Sequence, residues 1–374
     1  MDKQISYERY QRQLMLKDFG EAAQQKLLRA KLLVVGAGGL GCPALQYLAA
    51  AGVGKIGVVD DDVVSLSNLH RQILYSVSDI GQSKSRRSIA ILQQLNPEID
   101  FQAYDIRLTA ENVAEILGEY DIILDGSDNF ATRYLVNDTC VLLNKTLIYG
   151  AVAQYEGQVA IFNCKTDPSK LPVNYRDLFP QPPAQNEILN CEEAGVLGVV
   201  PGMIGIMMAN ESIKLITGIG SPAIDNLITY DARSNQLYEI ELSVRPETRS
   251  MIPADLLELK HTNYDWLCAG NSTFEINNEF FNEMLRGENV TVIDVRENTE
   301  LPCIDQFEHL NIPLPLLQGE AATFVADTIV LFCQSGKRSL LAAQRLNQVF
   351  GDSKKIYSLK DGIVQWLQQQ KQMA

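Results

Sequence analysis

Lys31-Leu-Leu-Val-Val-Gly-Ala-Gly-Gly-Leu-Gly41 decides the fold of the first part of this chain. Leu32 to Val35 is an unbroken apolar run, the pattern of a strand covered on both faces, and glycines come after it without a spacer. The residues from there to Ala51 have a helical pattern. In such a strand-turn-helix Gly36 permits the tight turn, Gly38 with its neighbour Gly39 lets a phosphate approach the backbone, and Gly41 lets helix and strand pack closely. The helix N-terminus then attracts phosphate.

A second apolar strand, Ile56-Gly-Val-Val-Asp60, ends in a carboxylate about 20 positions after the glycines, where a ribose hydroxyl is bound in dinucleotide folds. Asp60 is therefore the ribose candidate. The glycine motif alone does not separate ATP from NAD, and a tight structural turn remains its bland alternative. The residues beyond Asp60 are unlike those of a dehydrogenase: Ser67-Asn68-Leu-His-Arg71-Gln72 is dense in polar side chains, and Gly81-Gln-Ser-Lys84 precedes a helix. Nucleotidyl transfer at an α-phosphate requires neutralisation of the triphosphate and of charge growing on its equatorial oxygens, which Arg71, Lys84 and Arg12 are placed to supply. Taken singly, each is more simply a solvated surface charge.

Tyr120-Asp-Ile-Ile-Leu-Asp125 reads as a further buried strand running into Gly126-Ser-Asp128-Asn129. Ligands sit at strand C-termini in such sheets. A carboxylate at a phosphate site suits Mg²⁺ held jointly with the nucleotide, so Asp128 is the Mg²⁺ candidate; its alternative is an N-cap for the helix that starts near Phe130.

Composition narrows the class. The 374 residues allow two cores, and a formal charge of −14 argues against nucleic-acid or anionic-membrane binding, which need a basic footprint. No stretch approaches the roughly 20 apolar residues that span a bilayer, and the N-terminus lacks a basic-then-apolar leader. Seven cysteines without a close framework suit a reducing compartment. These features predict a cytoplasmic protein.

Arg9-Tyr-Gln-Arg12-Gln13, Gly36-Ala-Gly-Gly-Leu-Gly41, Ser65-Leu-Ser-Asn68-Leu-His-Arg71-Gln72, Gly81-Gln-Ser-Lys84 and Asp125-Gly-Ser-Asp128-Asn129 occur in this order. As a set they resemble the ubiquitin-activating-enzyme-like adenylyltransferases, in particular the bacterial enzymes that activate the sulfur carriers of molybdopterin and thiamine biosynthesis, over roughly residues 1 to 245. The resemblance implies a Rossmann-like α/β domain with a mixed sheet. It implies ATP and Mg²⁺ as ligands, with Asp60 on the ribose, Arg71 and Lys84 on the triphosphate, Asp128 linked to Mg²⁺ and Asn68 beside the reacting phosphate. It also implies a homodimer in which Arg12 reaches the neighbouring subunit's nucleotide site. The partner it implies is a small ubiquitin-like sulfur-carrier protein whose C-terminal glycine carboxylate attacks the α-phosphorus and expels pyrophosphate.

Cys191-Glu-Glu-Ala-Gly-Val-Leu-Gly198 comes after a proline-rich crossover stretch, and a helix start favours a thiolate, so Cys191 is a candidate nucleophile or persulfide partner; Glu192 and Glu193 oppose that shift. Many members of the family hold a structural zinc with two Cys-x-x-Cys pairs. Here the first pair reads Asn174-Tyr-Arg-Asp177, and Ser243 to Ser250 contains no cysteine, so no zinc is expected.

Ile228 to Leu242 reads as a hairpin, and residues 246–272 lose periodicity and are expected to be a linker. A second α/β unit over 273–374 is expected to contain a helix from Phe274 to Leu285, strands Val290–Arg296 and Thr328–Cys333, and a helix after the loop Cys333-Gln334-Ser335-Gly336-Lys337-Arg338-Ser339. Backbone N–H groups of that loop can converge on the Cys333 sulfur, with Lys337 and Arg338 adding positive charge. With Ile293-Asp294-Val-Arg296 and Leu359-Lys-Asp-Gly-Ile363, the last 100 or so residues resemble a single-domain rhodanese, in which the loop cysteine carries a transferable persulfide. A cysteine-dependent phosphatase is the competitor, but its loop is usually one residue longer between cysteine and arginine. The fusion places a sulfur donor beside the adenylate, and a cysteine desulfurase is a candidate upstream partner. An NAD-dependent oxidoreductase and a non-catalytic carrier-binding scaffold are the alternatives.

Overall fold

The computed structural model describes residues 4–182, 195–262, 264, 274–287 and 289–373. Lys31–Val35 forms strand β1, and Leu32 to Val35 are buried as their continuous apolar character requires. The helix Gly41–Ala51 comes directly after the turn. A Cβ at Gly41 would lie 1.9 Å from the carbonyl oxygen of Gly36, so only glycine lets this helix sit on the turn.

The remaining strands of the first sheet are β2 (Lys55–Val59), β3 (Asp100–Tyr104), β4 (Ile122–Asp125), β5 (Thr146–Ala153), β6 (Glu156–Phe162), β7 (Asn226–Asp231) and β8 (Gln236–Glu241). Their order is β3-β2-β1-β4-β5-β6-β7-β8, parallel from β3 to β5 and antiparallel from β5 onward. The chain starts at β1, works outward to β3, then returns to place β4 on the other side of β1. That reversal opens a crevice above the C-terminal ends of β1 and β4, where Val35 lies beside Asp125. The 19-residue helix Val199–Thr217 is apolar and long enough to cross a membrane, but it packs on β5, β6 and the helix Gly41–Ala51, burying Ile204, Gly205, Met208 and Ala209.

The expected linker begins differently. Pro246–Met251 is a 3₁₀ turn and Leu256–His261 a helix, and Leu259 and Tyr264 are buried in the same core as Leu33, Tyr134 and Tyr149. The chain divides into compact units at Met1–Gly270 and Asn271–Ala374. The Tyr264 hydroxyl donates to Asp138 Oδ2 at 2.9 Å, and the same carboxylate takes Arg176 Nη2 at 2.7 Å and Nε at 2.8 Å. Asp138 and Arg176 are both buried. Removing one partner of such a pair strands a charge out of water, so Asp138→Ala is expected to cost about 3–5 kcal/mol, read from the urea midpoint. A loss below about 1 kcal/mol would show the pair to be water-accessible.

The second unit is a parallel sheet ordered β11-β10-β12-β13-β9: β9 Glu275–Ile276, β10 Val290–Asp294, β11 Leu310–Asn311, β12 Thr328–Phe332 and β13 Lys355–Leu359. The helix expected from Phe274 instead opens with β9, which pairs with Ser358 and Leu359, and spans Asn278–Met284 behind an Asn277 cap that accepts from Phe280 N. One face of the sheet packs Ile293, Leu331, Ala343 and Leu346, the other Phe281, Phe332 and Trp366.

Candidate functional site

The crevice above β1 and β4 is a cleft of ≈ 390 Å³ lined by Gly36, Gly38, Gly39, Asp60, Arg71, Lys84 and Asp128, among others. Gly36 takes φ +88°, which L side chains rarely adopt, and a Cβ there would sit 3.0 Å from Gly126 O. Asp60 locks the turn: its Oδ2 accepts from Ala37 N at 2.7 Å and its Oδ1 from Asp62 N at 2.9 Å. Burial pushes the Asp60 carboxyl up to about 6, against the downward pull of Lys84 and these two N–H groups.

Lys84 opens the helix Lys84–Leu95 behind a Ser83 cap, with Arg86 and Arg87 in the same turn. Cations at a helix N-terminus oppose the macrodipole, an arrangement that helix stability does not favour and a bound anion does. Its side chain is buried, with Nζ 2.9 Å from the exposed Asp62 carboxylate. Arg71 donates to Ser67 O at 3.1 Å, and its Cδ would lie 3.6 Å from a Cβ at Gly39.

Asp128 is not the cap. Asn129 takes that role, its Oδ1 accepting from Thr132 N at 2.8 Å, which leaves Asp128 exposed at the cleft. Asp125, fully buried one strand-end earlier, accepts from Ser127 N at 2.9 Å and is raised by burial despite nearby Arg133.

Three more residues complete the cleft: Gln72 and Ser127 lie inside the quoted motifs, and Arg133 lies outside all of them. Gln72 Oε1, Ser127 Oγ and Arg133 Nε are buried, line the cleft, and have no hydrogen-bond partner among the described residues. Arg133 Nη2 donates to Ser127 O at 2.9 Å and so fixes the turn that carries Asp128. The one sign of it is its place four residues after the cap Asn129, one helical turn along, where the side chain reaches back to the strand end.

Two expected residues lie elsewhere. Asn68 is buried in the short turn Leu66–Asn68, its carbonyl accepting from Arg71 N and Gln72 N, and Arg12 is exposed on the helix Tyr7–Leu14; neither lines the cleft. Cys191 lies outside the described residues.

The segments 174–177 and 243–250, where the resemblance would place two cysteine pairs, are joined here by hydrogen bonds. Asp177 Oδ1 accepts from Thr248 Oγ1 at 2.6 Å and Arg245 N at 3.0 Å, while Oδ2 accepts from Asn174 N at 2.8 Å and Nδ2 at 2.7 Å. Asn, Asp, Arg and Thr are no thiolate set, and this clasp joins the two segments by hydrogen bonds. Chelator is expected to leave the thermal midpoint unchanged; a midpoint that falls, with zinc found near one per chain, contradicts this.

In the second unit Cys333 directly succeeds β12, and its Sγ accepts from Ser339 N at 3.4 Å and Ser339 Oγ at 3.5 Å. Ser358 Oγ holds that hydroxyl at 2.9 Å. Gly336 takes φ +86°, and a Cβ there would sit 2.9 Å from Asp361 N, so the close approach of the loop requires glycine. The Arg338 guanidinium, expected to add positive charge near the thiol, also pairs with Glu300 at 2.5 and 2.6 Å. The side chain of Lys337 lies outside those described.

The ThiF family pattern matches residues 10–250 and the rhodanese-like domain pattern residues 277–369. The sulfur carrier protein adenylyltransferase of Thermus thermophilus is 48% identical over 248 residues, covering 66% of this chain and 91% of the relative. The probable adenylyltransferase/sulfurtransferase MoeZ of Mycobacterium tuberculosis is 38% identical over 374 residues, covering 96% and 93%. Among solved structures, Escherichia coli MccB with ATP superposes at TM-score 0.53 with 20% identity, covering 63% of this chain and 74% of that one, a likeness of fold. The chain belongs to the ThiF family and carries a C-terminal rhodanese-like domain, an adenylyltransferase joined to a sulfurtransferase.

Proposed function

We propose that the cleft binds ATP and adenylates the C-terminal glycine of a small ubiquitin-like sulfur carrier, the molybdopterin-synthase type first and the thiamine type next. The observation that carries this reading is the convergence of Arg71, Lys84 and Asp128 on the glycine turn. Asp60 accepts from the ribose, and Arg71 and Lys84 neutralise the triphosphate. The carrier's carboxylate oxygen attacks the α-phosphorus while the bond to the β-phosphate oxygen breaks and pyrophosphate leaves. Positioning and charge neutralisation supply most of the catalysis. Asp128, an exposed carboxylate of the cleft, fits Mg²⁺, which would supply further neutralisation when bound.

Arg12, outside its own cleft, serves the neighbouring subunit of a homodimer, and Asn68 supports the loop that carries Arg71. The outer sulfur of the Cys333 persulfide, charged by a cysteine desulfurase, attacks the acyl carbon and expels AMP, leaving an acyl disulfide; a second thiol, for which Cys191 is the candidate, then attacks the Cys333 sulfur, forming a protein disulfide and releasing the carrier thiocarboxylate. Residence in the cytoplasm keeps these thiols reduced. ATP–pyrophosphate exchange measured with each purified carrier tests the reading; exchange stimulated by one carrier names the pathway, and none with any carrier refutes it.

Adenosine isolates the ribose contact because it does not titrate near neutrality. Only ionised Asp60 offers both oxygens as acceptors, so adenosine affinity is expected to fall as pH drops through about 6. The loss approaches about tenfold per pH unit in the limit that the protonated form does not bind. The sign is opposite for the empty fold. With the carboxyl held above its ordinary value, ionisation lowers stability as pH rises through that range. Isothermal titration at pH 7 and 5 checks it, and equal affinities would remove Asp60 from the ribose.

A further inference from the structure

Glu300 lies in the segment between β10 and β11 and grips Arg338 of the sulfur loop through two parallel bonds, Nη1 to Oε1 at 2.5 Å and Nη2 to Oε2 at 2.6 Å. The guanidinium holds the Glu300 carboxyl down to about 2, so the pair is ionised at any physiological pH. Arg338 is close enough to Cys333 to feel its charge. The cavity beside the loop, ≈ 570 Å³, is lined by Gln334, Ser335, Arg338, Asp361, Gln365 and Gln368, with Val364 and Gln369 completing the wall. Its described walls are thus amides, a hydroxyl, a carboxylate and one cation already neutralised. The two bonds use neither Nε–H nor the second N–H of each Nη, but the carboxylate cancels the guanidinium's charge and so weakens its pull on another anion.

Resting on the sulfurtransferase reading of Cys333, we infer that Glu300 is a specificity-determining residue: by occupying Arg338 it disfavours small dianionic sulfur donors and leaves Cys333 to be charged by a persulfide carried on a protein. In either case the Cys333 thiolate attacks the outer sulfur of the donor and one S–S bond forms as another breaks. From thiosulfate the leaving group is sulfite, and the donor arrives as a dianion at a loop whose Arg338 is already neutralised by Glu300. From a protein persulfide the leaving group is the donor's own thiolate, and recognition rests on the donor's surface.

The test uses the full chain, with thiosulfate as the anionic probe, cyanide as acceptor, and a desulfurase charged with cysteine as the protein donor. Glu300→Gln keeps the side-chain shape and frees Arg338, so KM for thiosulfate is expected to fall about tenfold, the scale of a charge-assisted hydrogen bond, with the gain abolished in Glu300→Gln/Arg338→Gln. Glu300→Asp, which keeps the charge but is too short for both bonds, is expected to give an intermediate KM. Charging by the desulfurase, read as a mass increase on Cys333, should not share the gain. An unchanged KM in folded Glu300→Gln and Glu300→Asp, or a gain that survives loss of Arg338, overturns the inference while leaving the sulfurtransferase reading intact. No persulfide on wild-type Cys333 from either donor overturns both.

Discussion

Lys84→Ala is expected to lower carrier adenylation by roughly 10²–10³-fold, the range for removing one preorganised transition-state charge partner. The side chain is only 6% exposed, yet its partner Asp62 is 70% exposed, so the substitution leaves no charge stranded in the interior. Stability and catalysis therefore separate: the urea midpoint should move by less than about 1 kcal/mol while kcat collapses. The loss should fall on kcat more than on KM for ATP, because the charge on the α-phosphate oxygens grows as the carrier attacks. A variant that keeps its rate would reduce Lys84 to a structural partner of Asp62.

Cys333→Ser has the second large effect, on a different step. Serine occupies nearly the same volume and can still accept from Ser339, so the loop is retained. A hydroxyl cannot carry a transferable sulfur, and thiocarboxylate formation on the carrier should fall to background while adenylation proceeds. Mass spectrometry of the carrier separates the two products. Wild-type thiocarboxylate from the serine variant would assign sulfur delivery to another thiol.

The glycine turn and Asp60 were legible because local sequence dictates them: φ +88° at Gly36 and contact at Gly41 admit no side chain, and strand length fixes where Asp60 falls. Family motifs then indicated Arg71, Lys84 and Asp128, which the fold brings to one cleft. Asp128 and Asn129 were indistinguishable in the sequence because either can cap a helix, and only the backbone of the turn assigns the cap to Asn129. Arg133 was hidden because its task depends on a carbonyl six residues back, across a turn whose shape the sequence does not state.

The stretch 246–264 misled for a related reason. Its attachment runs through scattered contacts, the bonds of Thr248 to Asp177 and Tyr264 to Asp138 and the burial of Leu259, too irregularly spaced to make an apolar period. Arg338 shows what the loop sequence leaves unsaid. Beside a thiol it reads as an activating charge, and its neutralisation by Glu300 depends on a loop that periodicity cannot place.

If this cleft holds ATP for attack by a protein's terminal carboxylate, the most direct measurement is the intact mass of each sulfur carrier after incubation with the enzyme, ATP and Mg²⁺. An AMP-sized increase on one carrier, absent with Lys84→Ala and absent when the carrier's last glycine is removed, is the predicted result. Carriers that all keep their original mass while the wild-type enzyme remains folded would contradict it.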